Sequence, residues 1–317
     1  MPHIKEEMVV QTGSILPSGE QFELRLGDQR AVVTEVGATL RSYTVAGREF
    51  LDTFAEGQMS PAGHGQVLVP WPNRIDGGRY TFQGHSEQVP LNEPEKQNAI
   101  HGLVRWLNWA PIARDAARIA LGLLLHPQPG YPFLLALEQE YALTDAGLTV
   151  RISARNTGST PLPFGAGQHP YFTIGTPRVD ETRLRVPART SLTTNDRGIP
   201  TGRAPVAGTN LDFREERLIG PLQLDTCFTD LEPDGDGRTR VSLCHPSGAP
   251  RLTVTLDAAH PFAQIYTGDT IADPEARRRG VAIEAMTCPA NAFNSGDGLR
   301  TLQPGESFSA SWSVSAS

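Results

Sequence analysis

Glycine and proline run through the whole chain, 31 of one and 26 of the other in 317 residues, and they cut it into short pieces. Such residues mark turns, so the chain is built from many short elements joined by tight connections. Within the pieces, apolar and polar side chains alternate. Phe22-Glu23-Leu24-Arg25-Leu26 has the period of two expected of a half-buried strand. Ala31 to Val45 continues it across a turn at Gly37, and Tyr80-Thr81-Phe82 follows the pair Gly77-Gly78, a hairpin signal. Leu252–Leu256, Phe262–Thr267 and Phe308–Val314 read the same way, and Ile119–Leu125 is a strand-sized apolar run. Leu135–Leu143 and Leu148–Ala154, joined by Thr144-Asp145-Ala146-Gly147, form the best hairpin in the sequence. Sustained helical periodicity is almost absent. The expectation is one all-β domain over residues 1–317, a large antiparallel two-sheet sandwich with long functional loops.

Charge and motif content narrow the function. With 35 acidic against 28 basic side chains the formal charge is −7, which argues against a nucleic-acid partner, since phosphate contacts need clustered cations. No apolar run approaches the ~18 residues of a membrane helix, so no membrane partner is expected. The start, Met1 to Glu7, is acidic where a signal peptide is basic, and the expected location is the cytoplasm. Cys227, Cys244 and Cys288 lack CxxC spacing, so neither a disulfide framework nor a thiolate zinc site fits. No HxH or HExxH points to a metal, and no GxSxG or GxxxxGK to a serine hydrolase or P-loop enzyme. No metal and no cofactor are called for. Monomer and homodimer remain equally open.

Chemistry is sought in polar residues set within turn-rich apolar segments. In Val69-Pro70-Trp71-Pro72-Asn73-Arg74 the prolines hold the backbone extended and present Asn73 and Arg74 from a stiff end. Read alone, Arg74 is more readily an arginine of a surface loop that pairs with a nearby acid. His101, followed by Gly102 and flanked by aliphatics, reads alone as a packed structural histidine. Phe164-Gly165-Ala166-Gly167-Gln168-His169-Pro170-Tyr171-Phe172 is a better candidate. Its small residues permit close approach of a ligand, and Tyr171 and Phe172 supply apolar walls. Glu284 lies in the apolar run Val281 to Met286, where a carboxylate is costly unless hydrogen-bonded or put to use. The alternatives there are a strand-end Glu facing water or a structural ion pair. Asp225 before Thr226-Cys227-Phe228 suits a sugar hydroxyl but equally a turn, and Arg277-Arg278-Arg279 suits an anion or a solvated loop.

Taken in order, these segments resemble the aldose 1-epimerase (galactose mutarotase) family. The resemblance rests on Asn73-Arg74 with Gly78 and Tyr80, on His101-Gly102, and on His169-Pro170-Tyr171-Phe172. Asp225 with Phe228, and Glu284 with Met286-Thr287, Pro289 and Asn291-Ala292-Phe293-Asn294, complete it. It spans Phe22 to Trp312, and the His-Pro-Tyr-Phe form resembles a bacterial branch of the family. Gln168 stands where an Asn usually precedes the catalytic His, and Met286-Thr287-Cys288-Pro289 replaces a Gln-containing stretch.

The resemblance implies a galactose mutarotase-like β-supersandwich with an open sugar cleft and a small-molecule sugar as partner. It implies Glu284 as the general base at the C1 hydroxyl and His169 as the general acid at the ring oxygen. His101 and Arg74 would hydrogen-bond the sugar near the reacting centre. Asn73 and Asp225 join Arg74 as substrate-binding residues. On this scheme Arg74 helps hold Glu284 ionised, while His169 keeps its proton near neutral pH. The activity implied is interconversion of the α and β anomers of a free aldohexose. Three alternatives stand beside it: a mutarotase for an anionic sugar with Arg277 to Arg279 as anion ligands, a non-catalytic sugar-binding protein, and a glycoside hydrolase using Asp225 with Glu284.

Overall fold

The computed structural model describes residues 15–317; the acidic start Met1 to Glu7 lies outside the described residues. Two large antiparallel sheets carry the fold. One has nine strands, running Ala110–Arg114, Arg118–Leu125, Leu135–Thr144, Gly147–Asn156, Ser307–Ala316, Arg251–Leu256, Thr239–Cys244, Arg183–Arg185 and Arg217–Leu218. The other runs Pro200–Pro205, Ala188–Thr194, Asp225–Leu231, Phe262–Tyr266, Val281–Met286, Gly167–Gln168 and Val67–Leu68, with Tyr171–Phe172 also pairing Val281–Met286. A four-stranded sheet, from Gln21–Leu26 to Arg48–Glu49, precedes both in sequence. Among the described residues the one α-helix is the single turn Ala292–Ser295, and no helix is long and apolar enough to cross a membrane.

The alternation maps onto this plan. In Leu135–Thr144, Leu135, Leu137, Gln139, Tyr141 and Leu143 are buried while their neighbours are half-exposed. The expected hairpin forms with Thr144 opposite Gly147, leaving a two-residue turn at Asp145-Ala146. The hairpin read at Gly77-Gly78 does not form. Arg74–Asp76 pairs instead with the distant Asn98–Ile100, and Arg79–Phe82 pairs with His85–Gln88 around Gln83-Gly84. Gly78 is needed there because a Cβ would lie 2.6 Å from the Val89 carbonyl, at a φ of +62°.

The two large sheets meet through apolar side chains and one polar knot. Gln168, in the sheet of Val281–Met286, accepts hydrogen bonds at Oε1 from Trp312 Nε1 (3.3 Å) and Gln139 Nε2 (3.4 Å) of the nine-stranded sheet. Its Nε2 donates to the Tyr141 hydroxyl (2.6 Å) and the Gly65 carbonyl (3.0 Å), and that hydroxyl donates to the Ala38 carbonyl. Every member is buried, so every unmade bond in the knot costs the desolvation of a polar group. Tyr141→Phe leaves the Ala38 carbonyl without this donor and Gln168 with one acceptor fewer. Urea unfolding should show it destabilised by about 1–3 kcal/mol.

Candidate active site

Val281–Met286 is buried on both faces. Val281, Ile283 and Ala285 face the main core, while Ala282 and Met286 belong to two small clusters on the other face. Strict alternation therefore sets Glu284 on that second face, between those clusters. The strand-end reading fails, since Glu284 is mid-strand and 2% exposed. Across the ladder it stands opposite Gln264, which stands opposite Cys227 on the next strand. Gln264 Nε2 donates to Asp225 Oδ1 at 2.6 Å, so Asp225 is held at the rim of the same face.

His169 arrives from the opposite side of Val281–Met286. Its peptide N–H donates to the Gln66 carbonyl and its own carbonyl accepts from Gly65. The ring stacks on Tyr171, with centroids 4.8 Å apart and planes at 19°. Its Nε2 lies 3.3 Å from Glu284 Oε1. Glu284 Oε2 and His169 Nδ1 are buried and have no hydrogen-bond partner among the described residues.

Two expectations about this segment need correction. The glycines before His169 serve packing rather than ligand approach: a Cβ on Gly165 would meet Cys288 Sγ at 2.3 Å, and one on Gly167 would meet Pro72 at 3.0 Å. Phe172 is no wall of the site either. It points into the core against Trp312, whereas Tyr171 does lie against His169.

Asn73 and His101 close the group from the small sheet of Arg74–Asp76 and Asn98–Ile100. Both sit at positive φ (54° and 63°), and the Asn73 peptide meets the His101 ring. The Asn73 N–H donates to His101 Nδ1 (3.2 Å), and the His101 N–H returns to the Asn73 carbonyl (2.8 Å). Because Nδ1 accepts, the neutral ring carries its proton on Nε2 and is a donor there. The ring meets His169 edge-on, with centroids 5.1 Å apart.

Arg74 is buried rather than set on a surface loop, but it does pair with an acid, Glu93. Glu93 takes its Nε and Nη2 in a fork (2.8 and 2.9 Å), leaving Nη1 near Asn73 Oδ1 (3.3 Å) and Asp225 Oδ2 (3.9 Å). A shallow recess is thereby lined by Asn73, Arg74, Gly198, Asp225, Cys227 and Gln264. Gly198 is required, because a Cβ would come within 2.7 Å of Arg74 Nη1. Glu93 and Gln264 were not legible as site residues. Glu93 sits in a polar loop without any motif, and Gln264 shows itself only through the strand register.

Arg277 to Arg279 are committed elsewhere. Arg277 Nε donates to the Ile271 carbonyl, Arg278 pairs with Asp180 and Asp269, and Arg279 pairs with Asp52. The three cysteines are buried and free, and no group of three or more metal-ligating side chains occurs among the described residues.

Residues 20–315 match the family described as Aldose 1-epimerase. The chain belongs to the aldose 1-epimerase family. It is therefore an isomerase by family. It is 35% identical over 290 residues to the uncharacterized protein YihR of Escherichia coli (strain K12), covering 91% of each chain. Galactose mutarotase of Rattus norvegicus is 28% identical over 224 residues, 65% of this chain and 64% of that one. The fold is that of a galactose 1-epimerase from Lactobacillus acidophilus NCFM (TM-score 0.80, 24% identity, 94% of each chain). It is also that of a GalM/aldose epimerase homologue from C. elegans (TM-score 0.82, 19% identity, 94% of this chain and 98% of that one).

In this aldose 1-epimerase family member, burial decides the protonation of the central pair. It pushes His169 down to about 3, with the like charges of His64, Arg105 and Arg74 adding to it. It pushes Glu284 well above its ordinary 4.5, and Asp225 adds to this, while Arg74 pulls the other way and is outweighed. The expected protonated His169 and ionised Glu284 are thus reversed in the free protein. Burial likewise drives His101 well down, so its ring is neutral. The pair then holds one proton, carried by Glu284.

That sharing has a consequence for stability. Between about pH 4.5 and 6.5, the ordinary values of the two groups, the unfolded chain protonates the histidine and ionises the glutamate. The folded chain does the reverse, so both states bind one proton and their contributions to the pH slope cancel. Glu284→Gln removes one side of the balance. The unfolded state then binds more protons than the folded one, and stability rises with pH. Urea midpoints at pH 5 and 6 should show a slope steeper than wild type by about 1.4 kcal/mol per pH unit. An unchanged slope would remove the proton from Glu284.

Proposed function

We propose that the protein is a single-domain mutarotase that interconverts the α and β anomers of a free aldohexose through acid–base ring opening and reclosure. The observation that carries this reading is the 3.3 Å contact between Glu284 Oε1 and His169 Nε2, beside a recess of hydrogen-bonding side chains. When the shared proton passes to His169, Glu284 becomes a carboxylate able to take the proton of the sugar O1 hydroxyl. The C1=O1 bond forms, the C1–O5 bond breaks, and O5 receives the proton of His169. This leaves Glu284 protonated and His169 neutral, the arrangement that burial favours. After rotation about C1–C2, His169 takes back the O5 proton as O5 attacks the other face of C1, and Glu284 returns a proton to O1. The sequence is redox-neutral, and both groups end as they began.

The neighbours have matching tasks. His101 offers its Nε2–H to a sugar oxygen near the reacting centre. Asn73, Arg74 and Asp225 take ring hydroxyls, with Arg74 held in place by the Glu93 fork. Each positioned proton transfer supplies typically ~10²–10⁴-fold. A non-catalytic sugar-binding module has no use for an acid and a base in contact beside its recess.

The test is the decay of α-D-glucose and α-D-galactose, followed by polarimetry or NMR. Wild-type protein should accelerate at least one of them. Glu284→Gln should lower kcat/KM on the order of 10²-fold or more, with sugar binding retained. Since Glu284 holds the pair's one proton, kcat/KM should fall on the acid side only as His169, held down to about 3, takes up a second proton, and on the alkaline side as Glu284, held well above 4.5, loses its own. Equal rates for wild type and variant would overturn the reading.

One observation favours a second reading, a sugar bearing an anionic group. Arg105 has no carboxylate partner among the described residues, and only long contacts to Gln66 Oε1 (3.4 Å) and the Ile100 carbonyl (3.5 Å). Burial brings its guanidinium down to about 10, and its charge reaches both His101 and His169. Arg105 is half-buried, and a cation drawn that far from water is ordinarily paired, so an anion would supply the missing partner. On this reading Arg105→Ala raises KM for glucose 6-phosphate and leaves glucose unchanged. An equal effect on both sugars removes it.

A further inference from the structure

Tyr171 has rings on both sides. One is His169; the other is His64, stacked on it more tightly, with centroids 3.8 Å apart and planes at 12°. His64 belongs to the loop Ser60-Pro61-Ala62-Gly63-His64-Gly65 and is 4% exposed. Its backbone is fixed within that loop: its N–H donates to the Pro61 carbonyl, and its own carbonyl accepts from Ser60 Oγ at 2.7 Å. The Tyr171 hydroxyl reaches the Ala62 carbonyl of the same loop at 3.3 Å.

Both ring nitrogens of His64 face acceptors. Nδ1 lies 2.6 Å from the Pro61 carbonyl and Nε2 lies 3.1 Å from Asp52 Oδ2. Burial opposes ionisation of Asp52, but hydrogen bonds from His64 and Arg279 outweigh it and hold the carboxyl below its usual range. A carbonyl and an ionised carboxylate can only accept. Each ring nitrogen therefore faces a group that calls for a donor. Asp52 is itself anchored twice, by Arg279 Nε on Oδ1 (3.0 Å) and by its own N–H on the Tyr171 carbonyl (2.8 Å). Packing alone would be met by any flat ring. A ring with both nitrogens matched to acceptors can hold a charge one aromatic ring away from His169.

We propose that His64 is a positioning residue for His169: as an imidazolium clamped between Pro61 and Asp52 it fixes, through Tyr171, the plane of the His169 ring, and its charge keeps the pair's proton on Glu284. Removing the charge lets His169 compete for that proton sooner as pH falls. The groups facing His64 are Asp52, Tyr171 and, through Asp52, Arg279; those acting on His169 are Glu284, His101, Arg105 and Arg74. Substitution at position 64 takes one hydrogen bond from Asp52, which keeps Arg279, and leaves the groups acting on His169 in place. The proposal rests on His169 being a proton-exchanging group of the proposed mutarotase, but its first test needs no sugar.

That test is histidine-ring NMR on the ligand-free protein, with the His169 signal assigned by its loss in His169→Asn. His64→Phe keeps a flat ring against Tyr171 and removes the charge and both donors. The His169 titration should move upward by ~1 pH unit, the scale of one like charge acting across a ring at an effective dielectric near 20. An unmoved His169 titration in folded His64→Phe overturns the proposal, whatever the sugar. If that variant does not fold, the ring nitrogens of His64 in the wild-type protein decide: two protonated nitrogens at pH 6 support it, and a neutral ring overturns it. Kinetics separate the two layers. A titration that moves while neither glucose nor galactose is turned over supports the role of His64 and counts against the aldohexose reading alone.

Discussion

A carboxyl group in the middle of a fully buried strand is the constraint around which the cleft is organised. Glu284 is tolerated because His169 stands within reach and because the two share a proton rather than a pair of charges. Two isolated ions at such a depth would cost several kcal/mol each, which a single contact of this length would not return. A neutral acid beside a neutral base avoids most of that cost. It also places both protonation states of the pair within one short transfer of each other, which is what a reversible proton exchange needs.

Holding that contact takes both large sheets. Glu284 is set by the ladder, opposite Gln264, and moves only if the strand moves. His169 follows Gln168, whose side chain is tied to Trp312, Tyr141 and Gln139 across the sandwich. A glutamine there reaches the far sheet with both ends, one accepting and one donating. This is the physical content of its replacing the asparagine usual in the resembling family. The recess is less rigidly built, since Arg74 and Asp225 come from a small sheet and a strand end and are steadied by Glu93 and Gln264.

The sequence made the strands legible because alternation is a local property. Thr144 to Gly147 closes as read, since the turn residues and flanking strands are contiguous. Gly77-Gly78 misled for the opposite reason: Arg74–Asp76 finds its partner more than twenty residues away, and no local pattern encodes that choice. Glu284 stood out because a carboxylate in an apolar run is costly wherever the chain folds. Its partnership with His169 followed from the family resemblance and not from spacing. The protonation states were misread because ionisation depends on burial by residues remote in sequence, and charge-pair reasoning from Arg74 left out desolvation. His64 and Asp52 were passed over, since what joins them to the site is Tyr171, held to Asp52 by a backbone bond between segments distant in sequence.

The same accounting bears on the kind of sugar that suits the cleft. Most cations near it are neutralised by the protein: Arg74 by Glu93, Arg278 by Asp180 and Asp269, Arg279 by Asp52. A neutral sugar entering such a site exchanges water hydrogen bonds for protein ones and meets no unbalanced field. Arg105 breaks this pattern. With no carboxylate of its own, it adds positive potential at both histidines and so favours their neutral forms. The imidazolium at His64 works on His169 in the same direction. Two cations set on different loops thus act on His169 together, and each does so without touching the carboxyl that holds the proton. A ligand anion at Arg105 would relax part of that field and make His169 a better proton acceptor.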